Sequence, residues 1–452
     1  MTIRFFSDKT RPVHLGPYPL ERLARQDRPE TTGLPAPRPL EFRRPETPSN
    51  LVNAMAEYQA MMDAIRDGLV NKARAECPPD PLDRANHLKA FGYFSDAAMI
   101  GVCRLPDAAR LADPWRNPDI DRLAHDLKTR QTKTLASGID MIMADLKESM
   151  EAPPSTIEGH THAIVFLYDF PRDPRGGEPG TDWLDDAQAH RACLRASETA
   201  VVLANYIRLL GWDAKAHTGT SSDVDLNRLT VEAGLAVPAN GHLLNPFAGH
   251  RFGVAALTTT FEMAADRPLA RRQPMLGPRW WLGYRTQKNA LNRDPFVKRR
   301  FHQGPHPFET LTRVDDPTTF IDEARVARVP KRTDMFARAQ FGDLGKHVQD
   351  GAKNGHYARK AAPSAAERRM LGAFVLLQDG APANGPRPDD PHRNALNIKA
   401  AAYFLGADAV GLSRCPDWTW YSHDATGAPI DPPHDQAISM IIDQGYETME
   451  GA

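Results

Sequence analysis

Near position 420 of the 452-residue chain a phenol, an imidazole and a carboxyl fall within four residues, Tyr421, His423 and Asp424, just after two indoles, Trp418 and Trp420. A phenol is a neutral proton donor near pH 7, with an ordinary pKa of about 10, and it can reach into an apolar pocket. By residue type alone the simpler reading is that the three aromatic residues pack at the end of a strand, with the hydroxyl on water or backbone. Adjacent strand positions face opposite ways, so His423 and Asp424 do not share a role by position.

The other reactive side chains are scattered. Cys77, Cys103, Cys193 and Cys415 form no C-x-x-C pair and no zinc-like cluster. They read as free thiols in a reducing compartment. His160 with His162, and His302 with His306, lack a third ligand at a telling spacing, so no metal site is expected. No Gly-rich or Walker loop suggests a nucleotide. Lys plus Arg total 56 against 57 acids, a balance that creates no field for nucleic acid or an anionic membrane. Apolar runs such as Ala163 to Tyr168 are far too short to span a bilayer, and the first 16 residues show no export pattern. A cytoplasmic protein is expected, with no membrane partner.

Elements that could position these groups follow from pattern. Nine prolines in the first 50 residues predict an extended arm. Ser49 is placed to cap a helix carrying Leu51, Met55, Tyr58, Met62, Ile65 and Leu69 on one face. KAFGYFSDAAMIGVCRLP (89–106) lies over KAAAYFLGADAVGLSRCP (399–416) without a gap at a spacing of 310, with eight of 18 positions identical. HAIVFLYD (162–169) then matches QAISMIID (436–443). Two copies of one α/β unit are implied, each with a helix, a turn and buried strands. The first continues through a long helix (185–210) stopped by Gly211, a strand (212–217), a helix (225–234) and a strand (252–260). It closes near 269, whereas the second has 62 residues from 391 to 452. Between them, 270–390 reads as a linker or bridge. Residues 271–300 hold nine Lys/Arg against one acid, Asp294, among Trp280, Trp281 and Tyr284; that suits a solvated linker, and a nucleic-acid patch is the rival.

Several stretches resemble the reductive dehalogenase family, in particular its cytoplasmic, catabolic, corrinoid-dependent branch. They are SETAVVLANYIRLLGWDA (197–214), VEAGL (231–235), HLLNPF (242–247) and LTTT (257–260). More specific are NIKAAAYFLGADAVG (397–411), WTWYSHD (418–424) and DQGYETMEGA (443–452). The match spans nearly the whole chain. Epoxyqueuosine reductases share the outline, but the Trp-Tyr-Ser-His segment favours dehalogenases.

The resemblance implies an α/β (α+β three-layer) architecture, a duplicated nitroreductase-like corrinoid-binding fold. Its domains would be an arm (1–50), a complete but degenerate copy (51–269), a basic bridging region (270–390) and the truncated start of the catalytic copy (391–452). Cobalamin would bind to the second copy, though no cofactor-binding residue is assigned. Tyr421 would give the proton to the carbon losing halide, its phenol made acidic by Lys and Arg from segments C-terminal to it that have no counterpart here. At a spacing of 310 the first copy carries Leu111 instead. The family's two four-iron clusters need eight thiolates, and four isolated cysteines do not supply them. The expected partners are therefore a halogenated aromatic such as a halophenol or hydroxybenzoate, a corrinoid, and an external electron donor of reductase or ferredoxin type. The expectation is an N-terminal portion lacking the iron–sulfur segment, an oxidoreductase by family but inactive alone. A non-catalytic corrinoid carrier, or a partner subunit, remains the alternative.

Overall fold

The protein is described by a computed structural model over residues 11–42, 49–129, 155–170, 172–273, 295–315, 319–354, 362–363, 365–367, 370 and 390–443. The centre of the basic stretch, with Trp280, Trp281 and Tyr284, and the end of the chain from 444 lie outside the described residues. No described helix is long and apolar enough to cross a membrane.

The elements run α1 (Leu51–Ala64), α2 (Pro81–Phe94), β1 (Met99–Arg104), β2 (Arg110–Trp115), α3 (Asp119–Thr129), β3 (His162–Asp169), α4 (Thr181–Leu184), α5 (Ala187–Leu209), β4 (Ala214–His217), β5 (Ser222–Val224), α6 (Leu226–Glu232), β6 (Val237–Ala239), β7 (His242–Leu244) and β8 (Phe252–Thr259). After them come α7 (Met335–Phe341), α8 (Lys346–Asn354), α9 (Pro391–Leu405), β9 (Ala409–Arg414) and β10 (Gln436–Ile441). Asn50, not Ser49, caps α1, accepting from the Val52 N–H. That helix stops at Ala64, so Leu69 lies beyond it and is exposed.

Strands β1, β3, β8 and β4 form one antiparallel sheet in that order. Side chains alternate faces along a strand, and β3 shows the result. Ile164, Phe166 and Tyr168 pack with α1, α2 and α5, while Ala163, Val165 and Leu167 pack with α6 and the N-terminal turns. Helices therefore cover both faces. Helix α5 presents alanines to the sheet, and Gly253 lets β8 approach it closely: a Cβ there would meet the Cys193 backbone at 2.4 Å. It ends where Gly211, at φ 94, lets Trp212 N–H reach the Ile207 carbonyl.

The second set of elements shares several local features with the first. Asp80 and Asp390 each cap a helix that opens with proline. Each helix is followed by a residue in the left-handed region, Asp96 or Gly406. The pairing of Arg104 with His162 in β1–β3 has its counterpart in Arg414 with Gln436 in β9–β10. Tyr93 Oη accepts from the Ile100 N–H, and Tyr403 Oη from the Val410 N–H.

Beyond these stretches, residues 11–23 and 299–311 share an arrangement that sequence comparison missed. Arg11 Nε donates to the Gly16 carbonyl at 2.7 Å and its guanidinium pairs with Glu21; Arg299 does the same with Gly304, at 2.8 Å, and Glu309. Gly16 and Gly304, at φ 65 and 70, lie against the rings of Tyr93 and Tyr403, where a Cβ would come within 2.6 Å. Each clasp seats its helix. The N-terminal stretch is thus no free extended arm: Tyr18, Leu20 and Leu23 are buried, because apolar side chains between the prolines have a sheet face to cover. Likewise Phe301, inside the expected linker, is fully buried.

The two sets differ in cover. Among the described residues β10 has one sheet neighbour where β3 has two. Ile438, Met440 and Ile442 are 48%, 59% and 72% exposed, while Ile164, Phe166 and Tyr168 are at most 3% exposed. A pair of glycines reads out this difference. Gly101→Ala puts a Cβ 2.3 Å from the Ala233 carbonyl oxygen and is expected to destabilise the protein by about 1–3 kcal/mol. Gly411→Ala meets nothing within 4 Å, so it should change stability by less than about 1 kcal/mol. Denaturant melts of both variants check this; equal costs would contradict the assigned packing.

Candidate functional site

Tyr421 owes its place to a chain of contacts that starts at a buried carboxylate. Glu178 accepts both terminal guanidinium nitrogens of Arg172 at 2.9 Å, the Arg175 N–H at 2.9 Å and the Phe301 N–H at 2.9 Å. Arg172 also donates to the carbonyls of Phe296 and Arg299, and its guanidinium lies over the Phe301 ring. Burial pushes the Glu178 carboxyl up, but these donors outweigh it and hold it below the ordinary carboxylate range. Phe301 then packs with Tyr403 and Phe404 of α9, and Asn397 Oδ1 receives the Gly180 N–H. Helix α9 leads into β9, whose end is fixed by Cys415 N–H on the Asp435 carbonyl.

After Pro416 the chain makes a 3₁₀ turn (Asp417–Thr419) and continues extended, so Tyr421 follows a turn rather than ending a strand. Arg328 gathers this stretch. Its guanidinium donates to the carbonyls of Trp420 at 3.3 Å, Tyr421 at 2.7 Å and Ile430 at 2.5 Å. Ser422 N–H reaches the Val329 carbonyl, and Lys331 N–H the His423 carbonyl. Tyr421 is 37% exposed and donates to Asp334 Oδ2 at 3.0 Å. The cations that the resemblance implies for this phenol belong to C-terminal segments with no counterpart here. Among the described residues its hydroxyl meets an anion instead, and the Asp334 hydrogen bond holds the phenol above its ordinary pKa. His423 turns to Ser422, while Asp424 accepts from Thr426 and Ala428 within its own turn, so neither joins Tyr421.

Two donors here are unspent. The indole N–H groups of Trp418 and Trp420 are buried and have no hydrogen-bond partner among the described residues. An indole N–H donates only, and burying one unpaired is costly. A carbonyl acceptor would satisfy them, and apolar side chains of β10, the strand paired with β9, lie exposed. A corrin ring carries amide carbonyls around an apolar macrocycle.

The expected histidine pairs separate. His162 contacts Thr161, whereas His160 joins a buried chain. His160 Nε2 lies 3.2 Å from Asp213, its Nδ1 is 2.7 Å from Thr258 Oγ1, and that oxygen is 2.8 Å from His217 Nε2. Asp223 N–H donates to His217 Nδ1, so Nε2 carries the His217 proton and Thr258 must pass its own to His160. Burial keeps the His217 pKa well below its ordinary value, which maintains this neutral order. His302 is half-buried beside Phe301, and His306 Nε2 lies 3.7 Å from Asp408. Among the described residues no group of three or more His, Cys, Asp or Glu could hold a metal. Asp334 and Arg328 escaped sequence reading because each acts on Tyr421 from about 90 residues away; no local spacing signals them.

No family model and no curated protein matches the chain. Solved structures do. A catabolic reductive dehalogenase, NpRdhA, aligns over 100% of this chain and 59% of its own at 36% identity and a TM-score of 0.81. The chain belongs to the reductive dehalogenase family. The same dehalogenase in complex with 3-bromo-4-hydroxybenzoic acid matches at 35% identity and a TM-score of 0.80. A third structure, described as suggesting a mechanism for B12-dependent dehalogenation, matches at 36% and 0.80. The chain spans 59% of the length of these relatives.

Glu178→Ala should cost about 3–5 kcal/mol, because it leaves the Arg172 charge buried and unpaired. In the wild type the folded pKa of Glu178 lies below its unfolded value near 4.5. Its contribution is therefore complete above that value and is lost as pH falls through the folded pKa. Melts of both proteins across acid pH should converge, and parallel curves would show that Glu178 is not the pin.

Proposed function

We propose that the chain carries out the corrinoid part of reductive dehalogenation, the replacement of halogen by hydrogen on a halogenated aromatic such as a halophenol or hydroxybenzoate. The observation that carries this is identity of 36% over the full chain to a catabolic reductive dehalogenase. Support comes also from the unpaired indole donors adjacent in sequence to Tyr421 and from the exposed apolar side chains of β10. The relative bound to a bromohydroxybenzoate supports the substrate class.

The overall change takes an aryl halide, two electrons and a proton to an arene and halide. Cobalamin, when bound, supplies the reduced cobalt that delivers the electron pair. The chain's own groups do the rest. Trp418 and Trp420 would hold peripheral amide carbonyls, and Ile438, Met440 and Ile442 would exclude water from one side. Tyr421 would hold the proton on Oη and give it to the carbon from which halide departs. The four cysteines of these residues are free and dispersed, and burial raises the thiol pKa of Cys103 and of Cys193, the latter to about 11. Electrons would come from an external reductase or ferredoxin-type donor, and the reaction would take place in the cytoplasm.

The two repeated sets of elements are read as copies of one unit, the first serving as scaffold. In support, the first has Leu111 where the second has Tyr421, and a buried carboxylate of its interior is taken up by its own donors. Asp63 accepts from Gln59, Asn117, Thr218 and Thr220.

Hydroxocobalamin added to the purified chain, followed by gel filtration, tests the reading. A corrin absorbance close to one equivalent is expected to travel with the protein. Trp418→Phe and Trp420→Phe should each weaken retention by about 3- to 10-fold, the worth of one hydrogen bond. No retained corrin, or retention indifferent to both substitutions, overturns the assignment.

A further inference from the structure

The segment that holds Tyr421 has no equivalent in the first set of elements. Between clasp and capped helix the first set uses residues 24–80, and the second uses 312–390, which is 22 residues longer. Part of that stretch returns to the site. In the first set the extended residues after the 3₁₀ turn form β2, which pairs with β5 through Arg110 and Val224. In the second, the equivalent residues Trp420–His423 are joined instead by Val329–Lys331.

This return ends at Asp334, which caps α7 by accepting the Phe336 N–H on Oδ1 at 2.8 Å. The cap fixes the carboxylate rotamer and leaves Oδ2 for the Tyr421 hydroxyl, at 3.0 Å. At the other end of the return, Arg328 holds the carbonyls on both sides of the phenol's own peptide. A carboxylate anchored at one oxygen is a pre-oriented acceptor at the other. Other charged groups of these stretches have their own partners: Asp424 in its turn, His423 on Ser422, and Arg332 and Arg338 on Asp343.

We propose that Asp334 is a positioning residue for Tyr421: with Arg328 it forms a latch that orients the phenol and keeps the proton on its oxygen. The inference rests on reading Tyr421 as the proton donor. A phenol that donates to an anion keeps its proton to higher pH, so the latch holds the donor loaded and gives it one direction. Exchange of that hydrogen bond for the reacting carbon is then the step at which the proton becomes available.

The test is a pH titration of the chain labelled with ¹³Cζ-tyrosine, with the Tyr421 resonance assigned by its loss in Tyr421→Phe. In wild type the Tyr421 midpoint should lie above that of an ordinary phenol. In Asp334→Asn, which keeps a capping oxygen and removes the charge, the midpoint should move to lower pH while other tyrosines stay put. Asp334→Ala should move it in the same direction, and far-UV circular dichroism of both variants reports whether α7 survives. An unchanged midpoint in Asp334→Asn overturns the latch, whatever the corrinoid experiment returns. A shifted midpoint in a chain that retains no corrin upholds Asp334's hold on the phenol and overturns the proposed function.

Discussion

A buried carboxylate with four donors is the constraint from which the rest of this structure follows. Glu178 cannot be left unpaired away from water, and its partners come from two stretches more than 100 residues apart, Arg172 with Arg175 and the Phe301 N–H. Satisfying it docks the second clasp onto the first set of elements. The clasp then positions Gly304 under Tyr403, the Tyr403 hydroxyl fixes Val410, and β9 runs from there toward the turn before Tyr421. Each contact constrains the next, and the step from Glu178 to the Phe301 N–H spans 123 residues.

The two sets of elements differ in how far they are covered. Around β1 and β3 both faces are covered, and polar groups such as Asp63, His160 and His217 are satisfied internally. Around β9 and β10, apolar side chains are exposed and two indole donors are buried without acceptors. Exposed apolar surface and unsatisfied donors both mark places where a partner group lowers the free energy. The first set also holds buried donors without acceptors, the Trp115 indole among them, but its sheet faces are covered. The proposed function places the ligand at the second set for this reason.

Much of this was legible from local pattern. Aspartate–proline caps at Asp80 and Asp390, the alanine-rich α5 with Gly211 behind it, and the matched strands all depend on residues close in sequence. At the 310 spacing Tyr93 falls on Tyr403 and Ile100 on Val410, and both pairs make the same hydrogen bond. The clasp at 11–23 and 299–311 was missed because proline density suggested an open arm. Its signal was there: Arg11, His14, Gly16, Pro17, Pro19, Glu21 and Leu23 recur in register as Arg299, His302, Gly304, Pro305, Pro307, Glu309 and Leu311. The environment of Tyr421 was not legible. Hydrogen bonds from Arg328 and to Asp334 depend on how a long segment folds back, and neither spacing nor composition encodes that return.

The central claim is that a corrin bound to this protein lies beside the Tyr421 phenol. Paramagnetic broadening tests it directly: Co(II) cobalamin is added to the ¹³Cζ-tyrosine-labelled chain and each tyrosine resonance is compared with a diamagnetic Co(III) control. The account predicts that the Tyr421 signal broadens strongly, while the signals of Tyr93 and Tyr206, in the first set of elements, are retained. A bound corrin that leaves Tyr421 sharp, or that broadens the first set instead, would contradict it.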